Sequence, residues 1–186
     1  DIPVIVVGNL TIGGTGKTPL VKYIATKLID KGYRPGIVSR GYGGNFKETL
    51  QVNENTSVKE TGDEAQILAK LNIPFYIDKN RVRAVKKLID NHDCDVIISD
   101  DGLQHYKMGR DIEINVIDGK RRLGNNLTFP AGPLRESKAR LKTVDFIINN
   151  SGPTEDGEYL MNITPSKFIH LKSGKSYSVE DLSLIH

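Results

Sequence analysis

Short apolar runs alternate with amphipathic segments along the first 150 residues of the chain. Several runs have the length and β-branched content of buried strands: PVIVVGN (3–9), GIVSR (36–40), IPFYI (73–77), DVIISDD (95–101), INVIDG (114–119) and VDFIIN (144–149). The segments with apolar residues at helical spacing are TPLVKYIATKLIDKG (18–32), TGDEAQILAKL (61–71) and NRVRAVKKLIDN (80–91). This alternation predicts an α/β fold, with a mostly parallel sheet and helices on both faces.

The rest of the chain has the composition of loops and linkers. Residues 118–137 are dense in Gly, Pro and Asn, and loops of this length are usually functional or disordered. The segment SGPTEDGE, from residue 151, resembles a linker, and a weaker strand pattern follows at YLMNITPSKFIHL (159–171). We therefore predict one domain over residues 1–150, with residues 151–186 as a linker and the start of a second lobe. Since the chain opens without methionine, we expect it to be part of a longer protein.

Composition narrows the function classes. The 26 basic and 23 acidic residues give a net charge of +3, too small to indicate nucleic-acid binding. The single cysteine, Cys94, excludes an intramolecular disulfide framework. No apolar run approaches the ~18 residues that span a bilayer, and no segment reads as a signal peptide.

A glycine-rich loop, NLTIGGTGKTPL (9–20), lies between the first predicted strand and helix, the context that a phosphate-binding loop requires. Its glycines let backbone amides turn toward an anion, Lys17 can reach terminal phosphates, and the Thr18 hydroxyl can bind Mg²⁺. The expected nucleotide-binding residues are Gly13, Gly14, Thr15, Gly16, Lys17 and Thr18. The loop departs from G-x-x-x-x-G-K-[ST] at Thr11, where the pattern has glycine. The alternative is a glycine-rich structural turn.

A second motif, DVIISDDGLQH, ends a buried strand in Asp100 and Asp101. Two acids at a strand tip can hold Mg²⁺ directly or through water, which is the partner that a nucleotide phosphate loop needs. The alternative is a capping or turn pair of aspartates. His105, shortly afterwards, could equally be a core or capping histidine.

Two further motifs leave their roles open on spacing alone. In TGDEAQ, Thr61 and Glu64 have the spacing of a capping box, which would explain the acids structurally. The same stretch could supply Asp63 as a base that accepts the proton of an acceptor hydroxyl. In PAGPLRES, Arg135 sits in a Pro- and Gly-constrained loop, suited to a precise anion contact, but a solvated basic face is the alternative.

Taken in order, these motifs resemble the tetraacyldisaccharide 4'-kinase family of lipid A biosynthesis. The matching stretches are VGNLTIGGTGKTPLV, SRGYGG, TGDEA, DKNRVRAV, SDDGLQHYKMGRDIEINVIDG and FPAGPLRE, between about Ile2 and Asn150. The resemblance implies a P-loop NTPase-like kinase domain over residues 1–150. It also implies transfer of the γ-phosphate of ATP to the 4'-hydroxyl of a tetraacyldisaccharide 1-phosphate. It accounts for Thr11, because the family's loop has this form.

The resemblance also implies the roles of individual residues. Lys17 and Thr18 would hold ATP and Mg²⁺, with Asp100 and Asp101 on the metal side, and Asp63 would be the catalytic base. The residues implied in catalysis are Asp63, Lys17, Asp101 and Arg135, and those implied to face the substrate or the transferred phosphate are Arg40, Glu64, Arg81, Arg83, Gln104, His105 and Glu136.

The implied partner is a lipid at the cytoplasmic face of the bacterial inner membrane, with no nucleic acid. Membrane contact would come through segments outside this chain, and a second lobe carrying a further histidine would follow it. Two other interpretations of the motifs remain open. One is a P-loop GTPase or ATPase that acts as a switch or metal chaperone, and the other is a non-enzymatic nucleotide-binding module. FIINNSGP lacks the lysine and aspartate of a guanine-reading Asn-Lys-x-Asp, and Pro19 replaces the third glycine of a dinucleotide-binding loop.

Overall fold

The computed structural model describes residues 1–164, 168–169 and 173–178. Within them the strands are β1 Val4–Gly8, β2 Pro35–Ser39, β3 Leu50–Gln51, β4 Phe75–Ile77, β5 Val96–Asp100, β6 Ile112–Asp118, β7 Phe146–Asn150, β8 Glu158–Met161, β9 Phe168–Ile169 and β10 Ser176–Tyr177. The α-helices are α1 Lys17–Asp30, α2 Val58–Thr61, α3 Asp63–Ala69 and α4 Arg81–Asn91, and a short 3-10 helix spans Lys138–Lys142.

Strands β1 to β8 form one sheet in the order β3-β4-β2-β5-β1-β6-β7-β8. Each neighbouring pair from β4 to β8 is parallel, and only the short β3 runs antiparallel, to β4. β1 lies between β5 and β6, near the middle of the sheet. The predicted α/β architecture with a mostly parallel sheet is confirmed, and β3 escaped prediction because two residues carry no usable periodicity.

Two hydrophobic cores cover the two faces of the sheet. On one face, Val7 of β1 packs with Val21 of α1 and Leu68 of α3. On the other, Val6 of β1 packs with Leu88 of α4. Successive residues of β1 point to opposite faces, so helices lie on both sides of the sheet as predicted.

The predicted helix over 61–71 is two short helices separated by Gly62. Gly62 has φ of +82°, and a Cβ there would lie 2.1 Å from the carbonyl oxygen of Tyr42. Only glycine fits that conformation and that contact, so the chain turns between α2 and α3. Helical periodicity alone did not reveal this break.

The sheet extends beyond residue 150, where the sequence placed the end of the first domain. β8 pairs in parallel with β7, Asn150 opposite Met161, and so adds an edge strand from the expected linker region. β9 and β10 form a separate antiparallel pair. Within the predicted strand segment 159–171, residues 165–167 and 170–171 lie outside the described residues.

No helix in the described ranges combines the length and the apolar character needed to cross a bilayer.

Candidate functional site

The sheet topology brings the glycine loop and the paired acids together. β1 and β5 are adjacent and parallel, with Val7 opposite Asp100. The loop that follows β1 and the acids that end β5 therefore emerge at the same edge of the sheet. This carboxyl edge is where α/β proteins bind ligands.

The glycine loop needs its glycines at two places. Gly13 and Gly16 have φ of +103° and +93°, in the left-handed region that other residues avoid. Thr11 has no such requirement, because its backbone is paired in an antiparallel bridge with Leu134. Next to it, the amide of Ile12 donates to the carbonyl of Pro133 at 2.8 Å. Pairing with the PAGPL segment thus removes the need for the glycine that the sequence pattern has at position 11.

Lys17, Asp101 and Arg135 meet at the mouth of the loop. The Lys17 ammonium lies 3.5 Å from Asp101 Oδ1, and Arg135 Nη1 donates to both oxygens of Asp101 at 2.9 and 3.0 Å. Burial acts to raise the pKa of Asp101, but Lys17 and Arg135 outweigh it and hold the pKa below its usual value. Asp101 also has φ of +51°, a strained conformation typical of functional turns. The sequence-predicted catalytic residues Lys17, Asp101 and Arg135 are therefore in contact.

Asp100 has a different environment from its neighbour. The residue is 2% exposed, and its Oδ1 has no hydrogen-bond partner in the part of the chain that the structure describes. Burial raises its pKa to about 6, against the lowering effect of Lys17. A buried, unpartnered carboxylate oxygen is costly unless a cation or a proton compensates it. Asp100 is therefore suited to hold a metal ion, as the sequence predicts.

Beside these residues lies a cavity of about 390 Å³ with a strongly cationic lining: Arg40, Tyr42, Lys79, Arg81, Asp101, Gln104, His105 and Arg135. Burial and the neighbouring Arg81 lower the pKa of His105, so its ring is neutral at neutral pH. Gln104 accepts from Arg135 at 3.4 Å and donates to the carbonyl of Asn9 at 3.3 Å, linking the cavity to the glycine loop.

Sequence reasoning missed Tyr42 and Lys79. Lys79 comes two residues after the end of β4, and Tyr42 lies in the SRGYGG loop after β2. Both therefore follow strands that end at the same carboxyl edge as β1 and β5. That position was a signal present in the sequence, but neither side chain belongs to a phosphate or metal motif.

Arg81 is placed mostly inside the protein. It is 2% exposed, and its guanidinium donates to the carbonyls of Asp78 and Asp100, each at 3.0 Å. Burial lowers its pKa to about 10, so it remains protonated at neutral pH. Arg81 therefore joins the ends of β4 and β5 and reaches the cavity wall with only a small part of its side chain.

Arg83 and Glu136 do not line the cavity. Arg83 donates to both oxygens of the buried Asp78, at 2.6 and 2.9 Å. Glu136 accepts from the hydroxyl of Tyr106 and lies 3.8 Å from Arg140. Both side chains are engaged in ion pairs or hydrogen bonds with residues of the protein itself.

Asp63 and Glu64 lie at the start of α3, on an adjoining cleft of about 340 Å³ that Tyr42 also lines. The predicted capping box is wrong. Gly62 is the N-cap of α3, and the Thr61 hydroxyl donates to backbone carbonyls at 3.2 Å and accepts from Gln66 at 3.0 Å. Helix capping therefore does not explain this pair of acids.

The FIINNSGP segment does not present a free asparagine to a guanine base. Asn149 is fully buried, and its Nδ2 donates to the carbonyl of Pro153 at 2.7 Å and to Glu158 at 2.9 Å. This arrangement gives the GTPase interpretation no support. Among the described residues there is also no group of three or more His, Cys, Asp or Glu side chains that could hold a metal ion alone.

The family model described as tetraacyldisaccharide-1-P 4'-kinase matches residues 1–184. Three proteins named tetraacyldisaccharide 4'-kinase are similar to the chain. That of Pseudoalteromonas atlantica is 50% identical over 173 residues, 92% of this chain and 57% of that protein. That of Shewanella frigidimarina is 52% identical over 166 residues, which are 89% of this chain and 50% of that protein. That of Ruthia magnifica is 52% identical over 179 residues, which are 95% of this chain and 56% of that protein.

A solved structure agrees in fold. The crystal structure of LpxK from Aquifex aeolicus in complex with ATP matches with a TM-score of 0.80 and 31% sequence identity. The match covers 98% of this chain and 61% of that one. The chain thus spans about half the length of the curated relatives it matches.

Proposed function

The chain belongs to the tetraacyldisaccharide 4'-kinase family, and we propose that the protein transfers the γ-phosphate of ATP to the 4'-hydroxyl of a tetraacyldisaccharide 1-phosphate. The observation that carries the proposal is the contact of Lys17 and Arg135 with Asp101 at the mouth of a cationic cavity. A kinase needs a phosphate loop and an acceptor site side by side, and a phosphorylated sugar matches the charge of the cavity.

Asp100 and Thr18 suit a magnesium ion that arrives with the nucleotide. Thr18 is 8% exposed in the first turn of α1, and Asp100 offers a buried oxygen that has no partner among the described residues. Mg²⁺ usually binds through one or two protein oxygens together with substrate phosphates. The ion would neutralise charge on the β- and γ-phosphates. Asp101 would act mainly by holding Lys17 and Arg135.

The chain's own residues position the reactants and move one proton. The glycine loop and Lys17 would bind the phosphates of ATP, while Arg135 faces the group in transit. The acceptor oxygen bonds to the γ-phosphorus as the bond to the β–γ bridging oxygen breaks, and that electron pair leaves with ADP. Asp63 would take the hydroxyl proton. Positioning and charge neutralisation supply most of the rate in phosphoryl transfer.

The acceptor is a lipid, so we also propose that the reaction takes place at the cytoplasmic face of the inner membrane. Arg40 and Lys79 are the cavity cations best placed to bind the anionic sugar, because Arg81 is tied to backbone carbonyls. His105 would contribute a neutral polar contact there.

The first experiment measures ADP release from Mg-ATP by the full-length protein, with and without the tetraacyldisaccharide 1-phosphate in detergent. We expect strong stimulation by the lipid and a new phosphate on the sugar. Asp63→Ala should retain ATP binding and the wild-type melting temperature, yet lose transfer by at least ~100-fold, the usual contribution of a general base. Hydrolysis indifferent to the lipid would contradict the proposal and favour a switch or chaperone ATPase.

A further inference from the structure

Three successive carbonyls of the glycine loop each accept a side-chain hydrogen bond, one from Asn9 at the start of the loop and two from residues far away in the sequence. The pairs are Asn9 Nδ2 with the carbonyl of Gly13 at 3.2 Å, Arg121 Nη2 with that of Gly14, and Asn150 Nδ2 with that of Thr15 at 3.1 Å. Arg121 follows β6 and Asn150 is the last residue of β7, and no phosphate or metal motif contains either residue.

These contacts control where the loop's amides point. In a trans peptide the carbonyl of one residue and the amide of the next point in opposite directions. A donor that holds the carbonyls of Gly14 and Thr15 on one side thus turns the amides of Thr15 and Gly16 to the other. Neither amide has an acceptor within the described ranges. Successive free amides of this kind form an anion-binding concavity.

Arg121 is held in place by the end of β6. Its Nε donates to Asp118 Oδ2 at 2.7 Å, and its backbone amide donates to Asp118 Oδ1 at 3.0 Å. The backbone amide of Arg121 lowers the pKa of Asp118, which keeps it a carboxylate at neutral pH. The guanidinium is therefore directed at Gly14 although its side chain is 58% exposed.

The side-chain amide of Asn150 is oriented by its neighbour Ser151. Its Oδ1 accepts from the hydroxyl of Ser151 at 3.0 Å, which leaves Nδ2 as the group that faces Thr15. A Cβ at Gly16 would lie 2.6 Å from this nitrogen, so the end of β7 packs closely against the loop. The contact needs both a glycine at position 16 and a donor at position 150.

We propose that Arg121 and Asn150 are positioning residues of the phosphate-binding loop, which hold the Gly14 and Thr15 carbonyls so that the Thr15 and Gly16 amides face a nucleotide phosphate. The inference rests on the proposed function, since it assigns the loop to a nucleotide. Neither side chain need touch the phosphates themselves.

The test removes each donor while keeping its bulk. Arg121→Met and Asn150→Leu are compared with Lys120→Met, which removes one positive charge from the same turn at an exposed side chain that makes no hydrogen bond to the loop's carbonyls within the described residues. The binding constants of Mg-ATP and of inorganic tripolyphosphate are measured by calorimetry on the full-length protein. Losing one hydrogen bond should weaken binding of both ligands roughly three- to tenfold in each donor variant.

If Arg121 and Asn150 only stabilised the fold, their variants would not show the following combination of KM values and melting temperatures. We expect the KM for ATP to rise with little change in the KM for the lipid acceptor, and the melting temperature of the free protein to stay as in the wild type. Lys120→Met should bind both ligands within about twofold of the wild type. The leucine variant fills the same space, so a loss of affinity there reflects the missing donor.

The outcomes separate this inference from the proposed function. Wild-type affinity for tripolyphosphate in both donor variants would overturn the inference, even if the wild type phosphorylates the lipid. Equal weakening in Lys120→Met and Arg121→Met would overturn the role of Arg121, because net charge would then explain it. Weakened binding in the donor variants, with no lipid phosphorylation by the wild type, would support the inference and refute the kinase. A wild-type protein that binds neither ligand would refute both.

Discussion

Asp100 and Asp101 are adjacent in sequence, yet their carboxyl groups respond oppositely to folding. Asp100 is buried, one of its oxygens has no partner in the part of the chain that the structure describes, and its pKa rises to about 6. Asp101 contacts Lys17 and Arg135, and its pKa falls. A charged Asp100 therefore costs stability in the unliganded protein. Such a cost is common where a residue is arranged for function.

This difference predicts opposite effects of two matched substitutions. The folded-state pKa of Asp100 lies above the reference value of 3.8. Protonated Asp100 therefore favours the folded state: this contribution is fully present below pH 3.8 and is lost as the pH rises through about 6. Asp100→Asn should raise the free energy of unfolding by roughly 1–3 kcal/mol at pH 7.5, and by about half as much at pH 5. Thermal melting without nucleotide or metal, from pH 5 to 8, measures this.

Asp101→Asn is the control, because asparagine also tolerates positive φ. It removes a carboxylate that two cations stabilise, so it should lower the melting temperature at pH 7.5. A gain in stability from Asp101→Asn, or a loss from Asp100→Asn, would contradict the electrostatic account. Both variants should lose phosphate transfer.

The sequence identified some of the functional residues but not the partners of others. Lys17, Asp101 and Arg135 were identified from their motifs, and the structure brings them into contact. The capping box at Thr61 was not confirmed, because spacing cannot show which residue has the N-cap conformation. Arg83 and Glu136 carry suitable charges, but their partners, Asp78 and Tyr106, were not apparent from spacing.

Among elements, the ends of β4 and β5, which lie on either side of β2, are linked by one buried cation. Arg81, at the start of α4, donates to carbonyls at the ends of both strands. This contact keeps the loop after β4, which carries Lys79, beside the acids that follow β5. The geometry of the cavity therefore relies on a contact between the start of α4 and the far end of the next strand, β5.

Arg81→Met should destabilise the protein by about 2–4 kcal/mol, because buried carbonyls lose their charged donor. Arg40→Met changes an exposed arginine of the same cavity, so it should shift the free energy of unfolding by no more than ~0.5 kcal/mol. Urea denaturation of the two variants measures the difference. Equal stability of both variants would show that the Arg81 bridge contributes little.

For the whole molecule, the sheet continues past residue 150 through β8. Glu158 at the start of β8 accepts from Arg122 at 2.7 and 2.9 Å and from Asn149 at 2.9 Å. Its side chain is 4% exposed, and the hydrogen bond from Arg122 is the main cause that lowers its pKa to about 2. One carboxylate thus attaches the edge strand β8 to β7 and to the loop after β6.

Glu158→Gln should therefore lower the free energy of unfolding by roughly 1–3 kcal/mol at pH 7. The folded pKa lies below the reference value of 4.5, so the contribution of Glu158 is present above that value and lost as pH falls toward about 2. The gap between wild type and variant should narrow between pH 5 and 3 in chemical denaturation. A gap that stays constant with pH would mean that shape, and not charge, holds β8.

The sequence by itself determined the class of fold, the family and the phosphate loop, because each depends on periodicity or on a local motif. Strands and amphipathic helices follow from spacing along the chain, and Gly13, Gly16 and Lys17 act within one turn of backbone. Only the tertiary structure decided which charges are free and which are engaged, since that depends on partners far apart in sequence. Arg81 reaches Asp100, Arg121 reaches Gly14 and Asn150 reaches Thr15 only after the strands assemble into the sheet.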